Sequence, residues 1–142
     1  MGRAIFEAAR GLVGTRFRLH GREASTGLDC VGLVMASHAR AGIILYPAPD
    51  DYALRGTERA DVEAGLVAAG LTRRIGKPAC GDVALVDCGH GQLHLAIVGA
   101  QSHIHAHAGL RCVVETPGMP SGLIAVFHRD ISSSGEAEAW RL

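Results

Sequence analysis

The sequence predicts an α+β fold, with N-terminal helices packed on a five-stranded, mainly antiparallel sheet. Three observations point there. Apolar residues recur at helical spacing in the first half of the chain, while short apolar runs rich in β-branched residues and separated by glycine occupy the region after Pro78. Alternating strand-helix-strand units are absent, so the helices and strands segregate along the chain. The 142 residues, 48% hydrophobic and 20% charged, suffice for one core without disulfide staples. We therefore expect a single domain over 1–130, followed by a small, polar tail at 131–142 that frays.

Ile5, Ala8, Ala9, Leu12 and Val13 form an amphipathic stripe with Gly14 as a stop, which predicts a first helix over about 3–13. The segment RFRLHGREASTGLD (16–29) is polar, carries two glycines and shows no period, so it reads as a loop. Cys30, Leu33, Val34, Ser37, His38 and Ala41 return to helical spacing. Asp29 stands where an N-cap acceptor belongs and Gly42 follows the far end, so a second helix of about 30–41 begins at Cys30.

Two prolines confine YPAPDDYALRG (46–56) to extended or turn structure. Val62, Leu66 and Ala69 give a third helix over 57–70 with Thr57 as N-cap, against a cost of about 1 kcal/mol for Gly65. The runs at 82–86, 93–99, 103–107, 110–115 and 122–128 are the five strands.

Fourteen basic residues balance fourteen acidic ones, which removes the electrostatic footprint of a nucleic-acid binder. No apolar run approaches the roughly 18 residues of a membrane span, and charges at Arg3, Glu7 and Arg10 interrupt the start as a signal peptide would not tolerate. The expectation is a protein made in the cytoplasm without an export signal, with no membrane partner. In such a compartment Cys30, Cys80, Cys88 and Cys112 are free thiols.

Of the four, Cys30 alone opens a helix, where unpaired N–H groups and the macrodipole favour thiolate. It is the expected nucleophile and the thiol expected to alkylate fastest near pH 7. Cys80, Cys88 and Cys112 read as small apolar filler. A nucleophilic cysteine needs a base within hydrogen-bond reach and a third group to orient that base. Five of eight histidines (90, 94, 103, 105 and 107) crowd into the strand region. His94 lies in LHLAIV, sharing a face with Ala96 and Val98, while His103, His105 and His107 share one face of the next strand. The middle position favours His105 as partner, with His107 as the fallback.

The strings GLDCVGLV, GDVALV, HLAIV and IHA resemble, in order and spacing, the NlpC/P-sixty family of papain-like cell-wall cysteine peptidases. The blocks run from about Gly14 to Glu115, and the segment GTRFRLHGR is similar to the family's approach to the nucleophile, in the version found in short phage-tail-associated members. The resemblance implies a papain-like fold and a Cys30, His94, His105 triad. It further implies cleavage of the amide between D-glutamate and diaminopimelate or lysine in the peptidoglycan stem peptide, without a cofactor. Asp29, Phe17 and Arg16 would contact substrate, and tail-tip or tail-assembly proteins would deliver the chain to the wall. Val31, Phe17 and Ala96 depart from the family's usual Ser, Tyr and Gly, and Phe17 lacks the hydroxyl that the usual Tyr presents to substrate.

Two other classes compete. The Cys88 to His107 cluster holds enough soft and borderline ligands for Zn²⁺, although no zinc-ligand spacing such as C-x2-C is present. A structural tail component with little or no activity is the other. Permuted acyltransferase relatives are disfavoured because they place the histidine before the cysteine, whereas Cys30 here precedes His94.

Overall fold

The computed structural model describes residues 1–46 and 58–129. Its elements in chain order are α1 (Gly2–Arg10), β1 (Arg22–Glu23), β2 (Gly27–Leu28), α2 (Cys30–Arg40), α3 (Arg59–Ala68), β3 (Thr72–Arg73), β4 (Val83–Asp87), β5 (Leu93–Val98), β6 (Ser102–His107), β7 (Cys112–Pro117) and β8 (Leu123–His128). The α+β class and the helices-then-strands order hold. The main sheet has six strands rather than five, in the order β3-β8-β4-β5-β6-β7, with every neighbour pair antiparallel. The added strand, Thr72–Arg73, is two exposed residues hydrogen-bonded to Phe127 and His128. It carries no apolar alternation to announce it.

The first helix is shorter than its stripe suggests, because the chain turns at 11–14, yet Leu12 still reaches the core at 1% exposure. The loop expected over 16–29 contains the small hairpin β1-β2. The second helix starts at Cys30 as expected. The third is shorter than expected, with Glu58 in place of Thr57 at its cap position. Thr57, most of the proline-containing segment and the C-terminal tail lie outside the described residues.

One face of the sheet presents Val83, Leu85, Leu95, Ile97, Ile104, Ala106, Val113, Ala125 and Phe127 to α1 and α2, which supply Ile5, Phe6, Ala9, Leu33 and Val34. This is the period of two of a strand meeting the stripe of a helix. The other face buries a smaller cluster of Ala84, Val86, Ala96, Val98 and Val126. His94 and the odd-numbered histidines of β6 share this second face by alternation. Residue pairing between β5 and β6 is confined to Ile97↔Ile104 and Val98↔His103. The strands therefore part toward the His94 end, next to the start of α2.

Among the described residues, no helix is long and apolar enough to cross a membrane.

Candidate active site

The entry to α2 is organised by one carboxylate. Asp29, in extended backbone, caps the helix: its Oδ1 accepts the Gly32 N–H at 2.9 Å and Arg22 Nη1 at 2.8 Å, while Oδ2 accepts the His20 N–H at 2.8 Å. An N-cap acceptor satisfies one of the helix's orphan donors. Arg22 adds a largely buried ion pair and also donates to the Gly21 carbonyl at 3.1 Å. Both oxygens expected to meet a substrate amine are thus engaged by the protein's own donors. The structure uses Asp29 to hold the approach segment against the helix.

Cys30 follows directly as the first helical residue, but its side chain is only 8% exposed. Burial pushes its thiol up to about 12. The N–H groups of Leu95 and Val31 and the charge of Arg22 pull the other way, and the Asp29 carboxylate adds to the rise. Burial thus opposes the activated thiolate expected from helix position, because it desolvates the charged form. The Leu95 N–H, on the stretch of β5 where pairing with β6 has ceased, lies near enough to favour the charged form of the sulfur. The nucleophile candidate therefore lies near the residue that follows His94.

His94 Nε2 and His105 Nδ1 lie 3.3 Å apart, with the two rings edge to face at 5.4 Å. His105 Nε2 in turn meets Thr116 Oγ1 of β7 at 3.1 Å. The hydrogen bonds of the described residues join His94 to His105 and not to Cys30, and they leave His94 Nδ1 as the ring nitrogen without a protein partner. Burial holds His94 down to about 4, helped by His107 and His103. Burial followed by His94, His103 and His107 holds His105 at about the same value. Both rings are neutral at pH 7.

The neighbouring histidines are occupied elsewhere. His103 stacks on His105 at 5.1 Å and donates from Nδ1 to the Gly118 carbonyl at 2.8 Å. His107 Nδ1 accepts the Leu110 N–H at 3.0 Å, capping its own turn. The partner of His94 is thus His105 and not the fallback His107. The zinc arrangement is not built: among the described residues no three His, Cys, Asp or Glu side chains are placed to hold a metal ion, and Cys88 is exposed on the β4-β5 connection.

Arg16 and Phe17 serve through their backbones. The Leu28 N–H donates to the Arg16 carbonyl and the Phe17 N–H to that of Arg111, both at 2.9 Å, so the segment zips between β2 and the start of β7. The Phe17 ring packs on the main core and Arg16 is exposed. Three residues of the site escaped the sequence reading. Arg22 and His20 sit in what looked like an unstructured loop. Thr116 lies one residue past the expected end of its strand, and only the alternation His103, His105 opposite Val114, Thr116 could have marked it.

No family model and no curated protein matches the sequence. Solved structures do match its shape. The NlpC/p60 domain of the peptidoglycan hydrolase SagA aligns with 89% of this chain and 97% of its own length at a TM-score of 0.59 and 19% identity. The P60 domain of an antigen from M. avium subspecies paratuberculosis aligns with 90% and 93% at 0.62 and 16% identity. The chain has the NlpC/p60 fold. A third structure with this fold, RipD from Mycobacterium tuberculosis, aligns with 92% and 97% at 0.58 and 15% identity, and is described as a non-catalytic NlpC/p60 domain adapted to peptidoglycan binding. The NlpC/p60 fold therefore serves both hydrolysis and binding, and the choice for this chain turns on its own side chains.

Proposed function

We propose that the chain is a cysteine peptidase of peptidoglycan stem peptides, with Cys30 as nucleophile, His94 as base and His105 as the group that orients His94. The observation that carries this reading is the His94 Nε2 to His105 Nδ1 contact, which leaves Nδ1 of a neutral imidazole free one residue before Leu95, whose N–H lies near the Cys30 sulfur. A neutral ring with a free nitrogen can serve as general base toward a thiol brought within its reach.

In the proposed reaction His94 Nδ1 takes the thiol proton as sulfur attacks the scissile carbonyl carbon. The tetrahedral oxyanion is met by N–H groups at the start of α2. The carbon–nitrogen bond then breaks, and the leaving amine departs with the proton from His94. Water, deprotonated by the same nitrogen, hydrolyses the thioester and regenerates the thiol. The high resting affinity of Cys30 for its proton makes this base-assisted attack rather than attack by a preformed thiolate. The specific bond, between D-glutamate and diaminopimelate or lysine, comes from the motif resemblance and from neighbours described as peptidoglycan hydrolases. Delivery by a tail-like particle, from a cytoplasmic site of synthesis, rests on the sequence alone.

The test is digestion of defined muropeptides by the wild type and by Cys30→Ala, reading new termini by mass spectrometry. Cleavage after D-glutamate by the wild type only is expected. Absence of turnover in both would favour a second reading, a peptidoglycan-binding domain without catalysis, which the 8% exposure of Cys30 and the RipD fold support. Sedimentation of the wild type with insoluble peptidoglycan would then separate a binder from a purely structural protein.

A further inference from the structure

We propose that Thr116 is a positioning residue whose hydroxyl, by accepting from His105, supports the base-competent tautomer of His94. The inference rests on the reading of His94 as the base.

A neutral imidazole carries one N–H and one lone pair, so a hydrogen bond between His94 Nε2 and His105 Nδ1 holds one proton and runs in one of two directions. If His94 Nε2–H donates, His94 Nδ1 keeps its lone pair and can receive the Cys30 proton. His105 then carries its proton on Nε2, which points at Thr116 Oγ1 3.1 Å away. If His105 Nδ1–H donates instead, His94 has its proton on Nδ1 and cannot act as a base toward the sulfur. What His105 Nε2 meets at the far end therefore bears on the orientation of the whole relay.

Main-chain groups set the tautomers of the flanking rings. The Gly118 carbonyl only accepts, so neutral His103 is protonated on Nδ1, while the Leu110 N–H only donates, so neutral His107 is protonated on Nε2. Neither ring is hydrogen-bonded to the His94–His105 pair among the described residues. Thr116 is the group that bonds this pair from outside, and it arrives from β7 in register: Thr116 pairs with His103, which places it diagonally beside His105 on the same face. A hydroxyl can accept the His105 Nε2–H or donate to a bare Nε2, so it sustains the base-competent direction, which an aliphatic side chain would not. Removing the hydroxyl would leave that N–H, on a half-buried ring, without its protein acceptor, a costlier defect than an unpaired lone pair, and would shift the relay toward the reverse direction.

The experiment compares the wild type, Thr116→Val and Thr116→Ser by long-range proton–nitrogen NMR on histidine-labelled protein, which reads the protonation of each ring nitrogen directly. The expected wild-type pattern is a protonated Nε2 and a bare Nδ1 on both His94 and His105. Ser should preserve it, and Val, which matches Thr in shape, should move His94 toward a protonated Nδ1. On muropeptides, Val should lower kcat by roughly tenfold or more with KM little changed, within the usual range for losing general-base function, and Ser should restore it. Unchanged ring tautomers in the Val variant would overturn the proposal, as would a kcat loss that Ser does not repair. Failure of the wild type to cleave would sink the peptidase reading but not the tautomer assignment, which the spectra decide on their own.

Discussion

Cys30 shows how two local effects of opposite sign are ranked. Position at a helix start favours thiolate by partial charges on a few N–H groups, an effect that fades within one turn. Burial at 8% exposure acts on the full charge, and the Asp29 carboxylate beside the sulfur adds to it, so the thiol is held up to about 12. The resting pair is consequently thiol and neutral imidazole. Iodoacetamide near pH 7 should therefore modify the exposed Cys88 first and Cys30 last, with Cys30 catching up only after unfolding in urea. Peptide mapping of partially alkylated protein reads the order, and Cys30 labelled ahead of Cys88 in the native protein would show that the thiolate is preformed. The candidate nucleophile was legible from its place after an N-cap. Its protonation state was not, because burial depends on what β5 and the approach segment bring over it.

At the scale of elements, helical and strand periods read the architecture well where a face is buried, as in α2 and β4 to β6. They fail where an element is too short to show a period. β3 is two exposed residues, and β1-β2 is a short hairpin whose packing depends on glycine rather than on an apolar pattern. Gly32, in the first turn of α2, carries that packing: a Cβ there would land on the Gly21 carbonyl and lie 3.2 Å from Leu28 Cδ2. In an exposed helix Gly→Ala stabilises by about 1 kcal/mol. In Gly32→Ala the clash with backbone must push the approach segment off the helix, and overpacking of this kind costs about 1–3 kcal/mol. A net loss in urea unfolding is expected, accompanied by loss of muropeptide cleavage because the Asp29 hydrogen bonds to His20 and Arg22 loosen. A net gain in stability would show that the segment is free to move away. The same logic explains why Thr116 was invisible: nothing in a strand's own pattern says which side chain of its neighbour it will touch.

For the whole molecule, the two faces of the sheet have been put to different uses. One is covered by helices and supplies the main core, while the other carries a compact aliphatic cluster beside a group of packed imidazoles, of which His94 and His105 are held neutral. That packing links folding to pH. His94 and His105 are held down to about 4, and His38, wholly buried in α2 with Nδ1 on the Val34 carbonyl, is also lowered, mainly by burial. Their unfolded counterparts titrate near 6.5. Between these values the unfolded chain binds protons that the native chain does not, so stability must rise with pH across that window. The stabilisation is fully present above pH 6.5 and is lost progressively as pH falls toward 4. Urea midpoints measured at pH 7.5, 6.5, 5.5 and 4.5 should dip between the first two and then drop more steeply, without a change in the slope of the unfolding transition. Glu115, lowered chiefly by its hydrogen bond from Arg10, adds its own dependence only below the ordinary carboxylate range and does not imitate this step. His94→Gln, which removes one of the three rings, should make the drop shallower. A midpoint that stays level down to pH 4.5 would mean that the imidazoles take up protons in place, and the neutral relay between Cys30 and Thr116 would then have to be abandoned.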